Sequence, residues 1–171
     1  DGTDAVMLSA ETAAGDFPVE TVTAMSKVCH GAENSVKHSN YRADRIFESA
    51  EETIAISAMF AANHLRGIHG LITFSDSGHL PLLMSRIRSG LPIYAFSRYP
   101  KTVSWMCMYR GVFPFDLDIM SFNTRDEVLY AAIEELKARS LVQKGDKLVV
   151  TFGMTMGKSG QTDSMRVITI N

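Results

Sequence analysis

The sequence is short of most features that would set a protein apart from ordinary globular chains. It has two cysteines in 171 residues, Cys29 and Cys107, far apart and without a CxxC pair. The expectation is two reduced, buried thiols in a cytoplasmic protein rather than a disulfide. Net charge is −2 and no Lys/Arg stripe appears, so nucleic acid is not an expected partner. No apolar run approaches the ~20 residues that span a bilayer, so no membrane is expected either. His30, His38, His64 and His69 share no metal-ligand spacing and read as solvated or capping groups. No signal peptide opens the chain, which starts on Asp1-Gly2-Thr3-Asp4 without an initiator Met. It is expected to be cut from something longer.

What remains is a composition 46% hydrophobic and 21% charged, ordinary for a globular protein, with room for one full domain and an appendage. The appendage comes first. Residues 4–8 form a short apolar strand candidate, and residues 9–16 a loop or short helical turn in which Glu11 and Asp16 read as loop carboxylates. Pro18 suits a first helical turn, and Val19, Val22, Met25, Val28, Cys29 and Ala32 recur at helical spacing. A strand and a helix without a partner strand cannot bury themselves, so residues 1–33 are expected to be the edge of another domain. Residues 34–48 are polar, charged and aperiodic, and read as a linker.

Residues 49–171 alternate strand and helix. Ser49 and Glu52 match a capping box opening a helix rich in alanine, with Gly67 as its stop. Strands are expected at 70–74, 92–96, 112–115, 147–152 and 165–170. Helices are expected at 78–88, at 101–110 and, from a second capping box at Thr124 and Glu127, to about residue 140. Repeated β-α units argue for a parallel sheet covered on both faces, a three-layer α/β/α fold. The last connection is a loop of about ten residues, short of the dozen or more of a parallel crossover, so the fifth strand should run antiparallel at an edge. Trp105 and its methionine neighbours fall in a helix and read as core or subunit contact.

Ligands in such sheets bind outside the carboxyl ends of the strands. Two small, hydroxyl-bearing loops fall there. The first carries Thr73, Ser75, Asp76, Ser77, Gly78 and His79, and the second, 153–162, carries Gly153, Thr155, Lys158, Ser159, Gly160 and Thr162. Strand, polar glycine-bearing turn, then helix is a way to cradle phosphate, although capping alone also explains such residues. Lys158 reads as a phosphate cation or as a solvated surface lysine. Asp76 would repel an anion unless it points away. His79 gains charge as pH falls, so anion affinity should rise with acidity.

The opening residues, DGTDAVMLSAETAAGDFPVE, resemble the pyruvate kinase stretch D-G-x-D-x-x-M-L-S-G-E-T-A-x-G-x-Y/F-P-x-E nearly position for position. Residues 109–114 (YRGVFP), 144–146 (KGD) and 159–167 (SGQTDSMRV) are similar to further motifs of that family, and residues 72–97 look most like the bacterial form activated by AMP or sugar monophosphates. The resemblance implies that residues 1–33 are the last strand and helix of a β/α barrel and that residues 49–171 are the C-terminal α/β domain. It implies a parent enzyme moving phosphoryl from phosphoenolpyruvate to ADP with Mg2+ and K+. The family's catalytic lysine and metal-binding carboxylates lie upstream of Asp1, so this chain should hold no cofactor or metal and show no activity alone. Ser9 matches a serine proposed to help relay a proton, or simply bonds its own loop. Ala10 stands where the family has Gly.

By the same resemblance the two loops become an effector site for a sugar phosphate or an AMP-like nucleotide. His79 stands in place of a stronger cation and Leu80 in place of a hydroxyl. The partners implied are sister subunits of a homotetramer. The other reading of the same residues is a stand-alone phospholigand-binding and oligomerisation module without catalysis.

Overall fold

The computed structural model describes residues 3–35, 46–87, 89–153 and 161–171. Two helices come first, α1 (Ala10–Ala14) and α2 (Pro18–Ser35). Residues 4–8 are not a strand. A strand needs a hydrogen-bonding neighbour, and here Asp4 turns its Oδ1 to the Arg110 backbone N–H at 3.1 Å instead. On α2 the large apolar side chains Val19, Val22 and Val28 are exposed.

The remaining elements build one five-stranded sheet. They run α3 (Ala50–His64), β1 (Ile68–Phe74), α4 (His79–Ser85), β2 (Ile93–Ser97), α5 (Pro100–Met106), β3 (Val112–Asp116), a 3-10 turn (Ile119–Ser121), α6 (Arg125–Ala138), β4 (Lys147–Gly153) and β5 (Thr162–Thr169). Both capping boxes form: the Ser49 and Thr124 hydroxyls accept from the N–H groups of Glu52 and Glu127. The strand order is β3-β2-β1-β4-β5. Pairings are parallel except that of β4 with β5, which is antiparallel, as the short last connection requires.

Neighbouring residues of β1 serve opposite layers. Leu71 joins Ala55, Ala58 and Met59 of α3, Leu80 and Met84 of α4 and Met106 of α5. Ile72 joins Leu129, Ala132 and Leu136 of α6, together with Phe96 and Phe115. β1, β2 and β4 read as largely apolar runs because both of their faces are covered. Ala55, Ala58 and Ala62 of α3 are buried, which lets that helix lie close on the sheet.

Two helices are shorter than their apolar periodicity predicts. Past α4 the Ile87 N–H reaches the Met84 carbonyl, three residues back, and the Ser85 hydroxyl donates to the Leu82 carbonyl. Past α5 the chain tightens in the same way, Met108 onto Trp105 and Tyr109 onto Met106, before Gly111 turns at φ 70°. Cys107 therefore lies in the turn, not the core. It is free and exposed, and Cys29 is free and half-buried, so neither thiol has the buried setting expected of it. Trp105 is also exposed, with Lys101 over its ring at 4.8 Å, whereas Met106 between them and the sheet is fully buried.

Candidate functional site

β1, β2 and β3 progress to one side of the sheet, and the chain then returns through α6 to place β4 on the other side of β1. The order reverses between β1 and β4. In open α/β sheets such a reversal marks the crevice, outside the carboxyl ends of the two strands, where ligands bind. The loop after β1 and the loop after β4 both start there.

The first loop is held by its own hydroxyls. Ser75 Oγ accepts from the Gly78 N–H at 2.9 Å, and Ser77 Oγ accepts from the His79 N–H at 3.3 Å. Gly78 has φ 77°, the left-handed conformation that suits glycine. A Cβ there would also meet Met106 and Thr102 of α5 at 3.3 Å. Thr102 Oγ1 donates to the Asp76 carbonyl at 2.8 Å, fixing the loop to α5 from a second direction.

Asp76 is turned away from the crevice. Arg98, immediately after β2, grips its carboxylate with two bonds, Nη2 to Oδ2 at 2.8 Å and Nε to Oδ1 at 3.2 Å. Both side chains are largely covered. The hydrogen bond to Asp76 is the main reason that the Arg98 guanidinium is held above its ordinary value. Its charge is thus committed to neutralising the loop.

Thr73 lies deeper than the sequence suggests. It is fully buried in the sheet beside Thr151 of β4, its register partner, whose Oγ1 donates to the Thr73 Oγ1 at 3.0 Å. His79 projects outward with its side chain 54% exposed, but its Nδ1 lies 3.2 Å from Oε2 of Glu51, a carboxylate in the first turn of α3. Of the second loop, Gly153 and Thr162 pair across β4 and β5, and Thr162 is buried at the start of β5 rather than standing in a loop. Thr155, Lys158, Ser159 and Gly160 lie outside the described residues.

The structure thus brings Ser75, Ser77, Gly78 and His79 together on one loop and sets Thr73 beneath it. It adds three residues that sequence reasoning missed: Arg98, Thr102 and Glu51. Arg98 alone had a legible signal, since the residue following β2 must reach the same sheet edge as the residue following β1.

Ser9 is elsewhere, exposed at the start of α1. Its carbonyl accepts from the Ala13 N–H at 2.9 Å, and its hydroxyl has no partner among the described residues. Glu11 Oε1 accepts from the Phe17 N–H at 2.9 Å, closing the α1–α2 turn as a loop carboxylate does. His30 and His64 bond carbonyls one helical turn back, and His69 lies 3.5 Å from Asp146; His38 is outside the described residues. A cavity of about 470 Å³ opens at the opposite, amino-terminal edge of the sheet, lined among others by Glu33, Met59, Leu91, Arg110 and Phe113. None of the residues singled out from the sequence as a ligand contact lines it.

Comparison with known proteins bears on this arrangement. Residues 52–168 match the model of the family described as "Pyruvate kinase, alpha/beta domain". Pyruvate kinase II of Salmonella typhimurium is 47% identical over 99% of this chain, which corresponds to 35% of that protein. A pyruvate kinase of Haemophilus influenzae is 50% identical over 90% of the chain and 32% of its own length. One of Geobacillus stearothermophilus is 34% identical over the whole chain and 29% of its own length. The chain spans about a third of the length of the curated relatives that it matches.

Proposed function

The chain belongs to the pyruvate kinase family through its alpha/beta domain, and on that basis we propose that it is the regulatory and assembly part of a phosphotransferase that makes pyruvate and ATP from phosphoenolpyruvate and ADP. In this reading residues 1–33 supply the closing strand and helix of a β/α barrel, residues 4–8 becoming a strand once paired within it, and the apolar side chains exposed on α2 are what the rest of that barrel covers. Ser9, with its unengaged hydroxyl, belongs to the barrel's chemistry.

Residues 49–171 bind the phosphate of a sugar phosphate or an AMP-like nucleotide at the crevice between β1 and β4. The observation that carries this is the reversal of strand order at that point, with a hydroxyl- and glycine-bearing loop on β1 whose one carboxylate, Asp76, is neutralised by Arg98. A carboxylate left free there would repel the anion.

Phosphoryl transfer depends on metal and cations placed around the moving group. The chain spans about a third of the length of its relatives, and the chain alone is proposed to be inactive. Calorimetric titration with AMP and glucose 6-phosphate tests the binding site: saturable heat for either is the expected result, and none for both removes it. ADP-dependent pyruvate release in a coupled assay of the pure chain would remove the claim of inactivity.

A further inference from the structure

We infer that Glu51 makes anion capture by His79 conditional on a proton, by fixing which nitrogen of the neutral ring carries hydrogen. The inference rests on the phospholigand site proposed above and adds its regulation.

Glu51 is 8% exposed and belongs to α3, an element separate from the loop that carries His79. Its Oε2 lies 3.2 Å from His79 Nδ1. An ionised carboxylate only accepts hydrogen bonds, so Nδ1 must be the nitrogen that carries the proton. In the neutral imidazole the other nitrogen, Nε2, is then a bare lone pair. Nε2 has no partner among the described residues, and the ring is half exposed. A carboxylate behind a histidine thus selects the tautomer of the nitrogen in front, as it does behind metal-binding histidines.

For an anion the consequence is sharp. The neutral ring offers it a lone pair and is repulsive. The protonated ring offers an N–H and a positive charge. A histidine free to choose its tautomer would keep a donor for the anion even when neutral, and this one does not. Among the described residues, Glu51 meets the ring from α3, and Asp76 and Arg98 at the foot of its own loop cancel each other.

The test uses the whole 171-residue chain. Nitrogen-15 spectra of labelled histidine read the tautomer directly, without any ligand. The wild type above neutral pH is expected to show the Nδ1–H form, and both Glu51→Gln, whose amide can donate to Nδ1 as well as accept from it, and Glu51→Ala to admit the Nε2–H form. Sulfate is the binding probe, since its own charge is constant over the range in which a histidine titrates. Wild-type sulfate affinity should fall by up to about tenfold per pH unit across the neutral range, and that of Glu51→Ala should fall less steeply. A neutral wild-type ring carrying hydrogen on Nε2 overturns the inference whatever binds. The expected tautomer with no binding of sulfate, AMP or glucose 6-phosphate at any pH overturns the phospholigand site, and the regulation falls with it. Should Glu51→Ala not fold, the wild-type tautomer and Glu51→Gln still decide.

Discussion

Arg98 reaches from the end of β2 to clasp Asp76 at the end of β1 with two hydrogen bonds, of 2.8 and 3.2 Å. The bidentate geometry ties two neighbouring strand ends together and consumes the only negative charge of the Ser75–Gly78 turn. Replacing Arg98 with Met should leave Asp76 partly covered and unpaired. The turn should loosen and AMP binding should weaken, because the anion then meets a free carboxylate. Faster hydrogen exchange at the Gly78 and His79 amides reads the first effect and calorimetry the second. Asp76→Asn should be the milder change, since it removes the charge together with the need for its partner.

Thr151 and Thr73 form a second tie across the crevice, inside the sheet. Thr151→Val should cost about 1–3 kcal/mol, because it leaves a buried hydroxyl without its donor. Changing both residues to Val should cost less than the sum of the two single changes, since no polar group is then stranded. Urea unfolding of the two single variants and the double variant completes the cycle. Strict additivity would show that the 3.0 Å contact carries no energy of its own.

Gly78 combines a left-handed backbone with close neighbours on α5. Gly78→Ala should destabilise by at least ~1–2 kcal/mol from the backbone alone. For a chain of this size that is a fall of roughly 2–8 °C in melting temperature. A melting temperature equal to the wild type's would mean that the turn re-forms in another conformation.

Tyr94 predicts behaviour in alkali. Its hydroxyl donates to the Leu141 carbonyl at 3.3 Å, and its pKa is raised above the ordinary 10.0 by burial first and by Asp146 second. The unfolded chain therefore releases this proton at lower pH than the folded chain does. The associated stability is complete below about pH 10 and is lost as pH rises through the folded value. Urea midpoints should fall above about pH 10, and Tyr94→Phe should flatten that fall while costing about 1 kcal/mol at neutral pH. An identical alkaline slope in wild type and variant would assign the loss to other groups.

The layer structure was legible in the sequence because both of its signals are local. Capping residues mark where α3 and α6 begin, and largely apolar runs mark strands covered on both faces. The antiparallel last strand followed from loop length alone. The errors share a cause, in that periodicity reports which side chains face a core and not where backbone bonding stops. Met106 is buried at the point where α5 ends, so the pattern overran the helix and carried Cys107 inward with it. The strand expected at residues 4–8 failed for want of a partner, which no local pattern supplies. At the candidate site the loop residues stood together in the sequence, whereas Arg98 and Glu51 are 22 and 28 positions from the groups they hold. Contacts of that kind belong to the fold.

The reversal of strand order also sets when a ligand can be felt. β1 and β4 are neighbours in the sheet, yet the chain between them must first build β2, β3 and three helices. An anion bound at those strand ends as proposed would act as a clasp on the finished molecule, because a half-assembled chain does not yet hold the two ends side by side. Its binding energy would then add in full to resistance against global unfolding. A simple thermal-shift measurement can therefore report occupancy by a ligand that is itself spectroscopically silent.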